Sequence, residues 1–90
     1  MNLGEVARHM EVLKDWALEG ISLTKTFEFN AFSQSIEFVN KVAQIAEKHN
    51  HHPDITITYN RVIIALTTHS EASITEKDFS VAKEIESIKD

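Results

Sequence analysis

Apolar residues recur along this chain in two periods, and each change of period marks a new element. Leu3, Val6, Met10 and Leu13 lie three or four positions apart, with Glu5, Arg8, Glu11 and Lys14 between them. That spacing predicts an amphipathic helix from Leu3 to about Leu13. From Trp16 to Phe29 the period falls to two. Leu18, Gly20, Ser22, Thr24, Thr26 and Glu28 alternate with residues that include Ile21, Leu23, Phe27 and Phe29, which predicts two short strands joined by a turn at Glu19-Gly20. Beyond Asn30, a good N-cap, Phe32, Ile36, Val39, Ala43 and Ala46 follow helical spacing, widened by Phe38, Val42 and Ile45. A helix from Ala31 to Lys48 is expected.

The period then returns to two. In "DITITY", Ile55, Ile57 and Tyr59 alternate with Thr56 and Thr58; in "VIIALTTH", Val62, Ile64 and Leu66 alternate with Ile63, Ala65 and Thr67. Asn60-Arg61 is the expected two-residue turn, since Asn tolerates positive φ. Finally Thr75 and Asp78 have the spacing of a capping box with Asp in place of Glu, ahead of the helical stripe Phe79, Ala82, Ile85 and Ile88. The order α-β-β-α-β-β-α implies an α+β fold, a four-stranded antiparallel sheet with helices packed on one face. Ile63 and Ala65 fall on the other face, which suggests pairing or stacking with a second subunit.

Composition narrows the class. The glycines are Gly4 and Gly20 and the one proline is Pro53, so no linker divides the chain and residues 1–90 are expected to form a single domain. There is no cysteine, which excludes disulfides, thiolate metal sites and cysteine nucleophiles. The net charge is −5 and the nine basic residues are scattered, which argues against nucleic acid or an anionic membrane as partner. The longest apolar run, "VIIAL", falls far short of the ~20 residues that span a bilayer. The expected location is the cytoplasm and the expected partner a small molecule or a protein.

Three of the five histidines crowd into His49-Asn50-His51-His52, just before Pro53. With Asn60-Arg61 as the turn, Tyr59 faces Val62, Ile57 faces Ile64 and Ile55 faces Leu66; carried outward, His52 faces His69. Opposed residues have Cβ atoms about 4.5–5.5 Å apart, so His52 and His69 would converge with His51 beside them. Pro53 removes a ladder donor and can end the pairing before His52, and a bulge would turn His69 to the other face. Glu47, four residues before His51, and Asp78 could supply carboxylates to the same place. Imidazoles exchange protons near neutrality, and a carboxylate on one ring nitrogen fixes the tautomer. Two other readings fit the same residues. One is a polar helix end favoured by the macrodipole; the other is a metal site drawn from His49, His51, His52 and His69. His9 and His49 are expected to face solvent, and Tyr59 and Trp16 to join the core. No serine nucleophile motif or phosphate-cradling glycine loop is present.

Glu47, His51-His52-Pro53, Tyr59, His69 and Asp78 place seven residues at defined spacings over 32 positions. This resembles the signature of the pterin-4a-carbinolamine dehydratases, also known as dimerisation cofactors of a homeodomain transcription factor. "WALEG" at Trp16–Gly20, Phe27, Phe29 and Phe32, and "AEKHNHHP" at Ala46–Pro53 extend the likeness over nearly the whole chain. The resemblance implies the α+β fold above and a homodimer or a tetramer built from dimers. It implies dehydration of 4a-hydroxytetrahydrobiopterin, or a related 4a-hydroxytetrahydropterin, to the quinonoid dihydropterin, in recycling of the cofactor of aromatic amino-acid hydroxylases. No metal or organic cofactor is expected. His51 and His69 would be the acid-base pair and His52 would bind the pterin, with Glu47, Pro53 and Asp78 shaping or orienting the site. Asp54-Ile55-Thr56-Ile57 stands where animal members carry aromatic residues after the proline, which bears on pocket shape and shared protein partners. The competing function is a non-catalytic binding module that stabilises a partner protein.

Overall fold

Capping chemistry defines the first helix. In the computed structural model, which describes residues 1–88, α1 runs over Leu3–Val12. The Asn2 side chain accepts from the Glu5 N–H at 2.9 Å, while the Asn2 N–H donates to the Glu5 carboxylate at 3.0 Å, which satisfies two donors that a helix start leaves open. Val6 and Met10 pack on the core, and Leu13 and Trp16, just beyond the helix, are buried in it.

Strands β1 (Ala17–Glu19) and β2 (Ser22–Glu28) form a hairpin whose turn is Gly20-Ile21, one residue later than expected. Gly20 has φ +61°, a conformation in which any β-carbon would be strained. Helix α2 (Phe32–His49) starts from Ala31, whose side chain makes no cap bond, and not from Asn30. The Gln34 side chain accepts the Asn30 N–H instead, at 2.9 Å. The buried stripe Ser35, Phe38, Val42, Ile45 and Ala46 faces the sheet, while Phe32 at the first helical position is half exposed.

Strands β3 (Asp54–Thr58) and β4 (Arg61–Leu66) complete a sheet in the order β1-β2-β4-β3, all neighbours antiparallel. Their turn is Tyr59-Asn60, one residue earlier than the expected Asn60-Arg61, so Ile57 faces Val62 and Ile55 faces Ile64. The cause is tertiary. The Asn60 amide donates to the Phe29 carbonyl at 3.1 Å and the Phe29 N–H donates back to the Asn60 carbonyl at 2.8 Å. Asn60 is thereby held against the end of β2, and Tyr59 takes the positive φ of 50° with its side chain exposed rather than in the core. The paired partner changes by two residues, so each side chain keeps its face. The expected pairing of His52 with His69 is lost: the ladder begins at Asp54, after Pro53, and β4 ends at Leu66. His69 instead opens a single 3-10 turn, His69–Glu71.

Helix α3 (Glu76–Glu86) begins with the predicted capping box. Thr75 Oγ1 accepts the Lys77 N–H, and Asp78 Oδ2 accepts the Thr75 N–H at 2.9 Å. The three helices cover one face of the sheet, where Leu23, Val62, Ile64 and Leu66 meet Phe38, Val42, Phe79, Ala82 and Ile85 in one core. The opposite face carries Thr24, Thr26, Ala65 and the 40%-exposed Ile63. Adjacent isoleucines thus test the face assignment. Ile64→Ala should cost about 2–5 kcal/mol in denaturant unfolding, whereas Ile63→Ala should cost less than about 1 kcal/mol.

Candidate functional site

The end of α2 aims the histidine segment. Asn50 adopts the left-handed conformation, its N–H donating to the Glu47 carbonyl, and the His51 N–H returns to the Ala46 carbonyl at 3.1 Å. This Schellman-type closure turns the chain sharply out of the helix. His51 then points inward, 12% exposed at its side chain, with Nε2 2.6 Å from Asp78 Oδ1. Asp78 is fully buried. Its Oδ2 accepts from the Thr75 N–H at 2.9 Å and from the Thr68 hydroxyl at 2.8 Å. With the carboxylate acting as acceptor throughout, the His51 proton resides on Nε2, and Nδ1 is left free to exchange a proton or bind a ligand.

His52 turns the other way. Its Nε2 lies 2.5 Å from Glu47 Oε2, and both side chains are more than half exposed. Such an exposed pair adds little to stability, about 0–1 kcal/mol, but it orients the ring. Pro53 follows as the half-buried residue before β3. His69 is exposed on its 3-10 turn, which is closed by the Ala72 N–H bonding back to the His69 carbonyl and by a bridge between Thr68 and Ser73. The structure therefore brings His51, Asp78 and the Thr68-His69 segment together through direct bonds. His52 and Glu47 form a separate pair on the adjoining surface.

The adjacent imidazoles thus bond to different carboxylates, and among the described residues no group of three or more His, Asp or Glu side chains is arranged to hold a metal ion. Three surface depressions of about 210 to 410 Å³ are lined by other residues, among them Phe29, Gln34 and Lys41 in one and Arg8, His9 and Lys83 in another. Depth alone does not mark a site. An imidazole held by a fully buried carboxylate is the stronger indication.

Two expected solvent-facing histidines are partnered. His9 stacks on Phe79 with centroids 4.3 Å apart and bonds to Glu76 and Lys83, joining α1 to α3. His49 Nε2 lies 2.7 Å from Glu84, which also accepts from Lys48 at 2.9 Å. Sequence reasoning missed Thr68, which carried no signal, and missed Thr75 as part of the site, although its cap spacing was visible.

The sequence profile described as "Pterin 4 alpha carbinolamine dehydratase" matches residues 1–88. The chain belongs to this family. A Sulfolobus acidocaldarius protein, provisionally named as a pterin-4-alpha-carbinolamine dehydratase, is 46% identical over 84 residues, covering 93% of this chain and 92% of its own. One from Nostoc punctiforme with the same provisional name is 47% identical over 85 residues, covering 94% and 91%. Among solved structures, a "transcriptional coactivator/pterin dehydratase" from Brucella melitensis superposes with a TM-score of 0.89 at 34% identity, covering 96% of this chain and 94% of that one. A "pterin dehydratase-like protein" described as a RuBisCO assembly factor in the alpha-carboxysome gives a TM-score of 0.63 at 22% identity, covering 78% and 81%. That last likeness is one of fold.

Hydrogen bonds from Lys48 and then His49 hold the Glu84 carboxyl below its ordinary 4.5. A depressed carboxyl contributes stability that is present above pH 4.5 and is lost as pH falls through the lower folded value. Glu84→Gln should therefore lower the melting temperature most above pH 4.5, with the gap to the native chain closing on further acidification in a pH series of thermal melts.

Proposed function

We propose that this protein dehydrates a 4a-hydroxytetrahydropterin such as 4a-hydroxytetrahydrobiopterin, with His51 and His69 exchanging the protons. The observation that carries the reading is the His51–Asp78 pair: a buried carboxylate holds one ring nitrogen and leaves the other available. Family membership and relatives bearing the dehydratase name support it. In the reaction the C4a–O bond breaks, the N5–H proton leaves, a C4a=N5 double bond forms and water departs. One imidazolium protonates the leaving hydroxyl and a neutral imidazole accepts the N5 proton, so the pair ends with the charges exchanged and resets through solvent. The step is redox-neutral and calls for no cofactor. His52 binds the pterin, Glu47 orients His52, Pro53 sets the pair at the strand entrance and Asp78 orients His51.

The proposal extends to a cytoplasmic setting in which the product returns to an aromatic amino-acid hydroxylase. Among the described residues no helix is long and apolar enough to cross a membrane. It extends also to a homodimer or homotetramer. Strand β3 is an edge of the sheet, with Ile57 37% exposed and no proline or lysine inside Asp54–Thr58 to discourage pairing. Light scattering should give two or four times the chain mass at micromolar concentration; a strictly monomeric mass would refute the oligomer.

A second reading, a non-catalytic module that stabilises a partner protein, draws on the coactivator description of the Brucella structure. Kinetics separate the two. In a stopped-flow assay with a synthetic 4a-hydroxytetrahydropterin the native chain should exceed the uncatalysed rate, and His51→Ala and His69→Ala should each lose about 10²- to 10⁴-fold. A native rate equal to the uncatalysed one would leave the binding module as the function.

A further inference from the structure

We infer that Thr68 is a positioning residue that sets both proposed acid-base histidines, an inference that rests on the dehydratase reading and deepens it. Thr68 is 4% exposed, at the end of the extended segment after β4. Its Oγ1 lies 2.8 Å from Asp78 Oδ2 and 2.7 Å from Thr75 Oγ1. A hydroxyl has a single proton, and the carboxylate can only accept it, so Thr68 donates to Asp78. Thr75 must then donate to Thr68, and its own oxygen accepts the Lys77 N–H. Every proton in the chain Lys77–Thr75–Thr68–Asp78 therefore points toward the carboxylate that holds His51. Chains polarised in one direction strengthen their members.

The same residue also holds the turn that carries His69. The Thr68 N–H donates to the Ser73 carbonyl at 3.0 Å, and its carbonyl accepts from the Glu71 N–H at 3.0 Å. These bonds close the turn that begins at His69. One threonine thus orients the Asp78 carboxylate through its hydroxyl and the His69 turn through its backbone. Loss of the hydroxyl should free the carboxylate to rotate while the turn persists.

The test compares Thr68→Val, which keeps the shape and removes the hydroxyl, with Thr68→Ser, which keeps the hydroxyl. For the valine variant we expect kcat to fall on the order of 10- to 100-fold with KM little changed, the scale of a small misplacement of a reacting group. Serine should restore most of the rate. Imidazole nitrogen NMR should show His51 as the Nε2–H tautomer in the native and serine proteins and as a tautomer mixture in the valine protein. Native kcat and an unchanged His51 tautomer in Thr68→Val would overturn the inference. Should the valine variant fail to fold, the native protein decides: a slowly exchanging Thr68 hydroxyl proton supports the chain and a freely exchanging one refutes it. If the native protein proves inactive, the dehydratase reading fails while the NMR results still decide whether Thr68 orients His51 through Asp78.

Discussion

The buried carboxylate of Asp78 is the constraint on which the site depends. Taking a charge out of water is costly unless every lone pair finds a donor, and removing one partner from such a group costs about 3–5 kcal/mol. Asp78 draws its donors from three places: the imidazole that follows α2, the hydroxyl that follows β4 and the amide that caps α3. In sequence they stand 27, 10 and 3 residues from Asp78. The carboxylate therefore knots the C-terminal end of one helix, the end of the inner strand β4 and the start of the last helix at a single point beside the core.

Backbone conformation serves the same knot. Among the described residues, the non-glycine residues with positive φ are Asn50, Tyr59 and Ala72. Asn50 immediately precedes His51, and Ala72 closes the turn that begins at His69. A left-handed conformation costs most residues with a side chain roughly 1–2 kcal/mol, Ala72 among them, while Asn adopts it more readily, and it persists where surrounding bonds outweigh the cost. At Asn50 they are the returning bonds to Glu47 and Ala46, and at Ala72 the bond to His69 and the neighbouring Thr68–Ser73 bridge. Both histidine segments are thus turned by left-handed residues held in place by backbone hydrogen bonds.

How much of this was legible depends on whether the cause was local. Helical and strand periods reflect the residue's own face, so the element order could be read directly; in α2 the flanking residues Phe38, Val42 and Ile45 form the buried stripe with Ser35 and Ala46, while Phe32 and Ala43 of the main expected set are exposed. The capping box at Thr75 and Asp78 is local too. The register of the last hairpin was not, because Asn60 is claimed by Phe29 from the other hairpin, a contact across 31 positions with no local signature. Likewise His9 has the polar neighbours of a surface residue, yet Phe79 offers it a ring to stack on from the far end of the chain. For the site, the candidate set followed from a family pattern, whereas the bonds that join His51, Asp78 and Thr68 are tertiary, and Thr68 has no local signature that marks it.

The cost of the arrangement bears on its use. A buried ionic cluster replaced by apolar residues of similar volume is often no less stable, and this fold already has a continuous apolar core around Phe79, Val81 and Ile85. A chain that needed only to fold, or only to present a surface, could fill the Asp78 position with a further hydrophobic residue. What the carboxylate supplies and a leucine could not is orientation: a fixed proton on one nitrogen of His51, and through Thr68 a tie to the turn carrying His69. Directional hydrogen bonds that hold one nitrogen of His51 and leave the other without a protein partner are in keeping with the proton transfer proposed above. The His52–Glu47 pair differs: its ring is held from one side at the surface, in keeping with the pterin-binding role proposed for His52, and no second charge is buried.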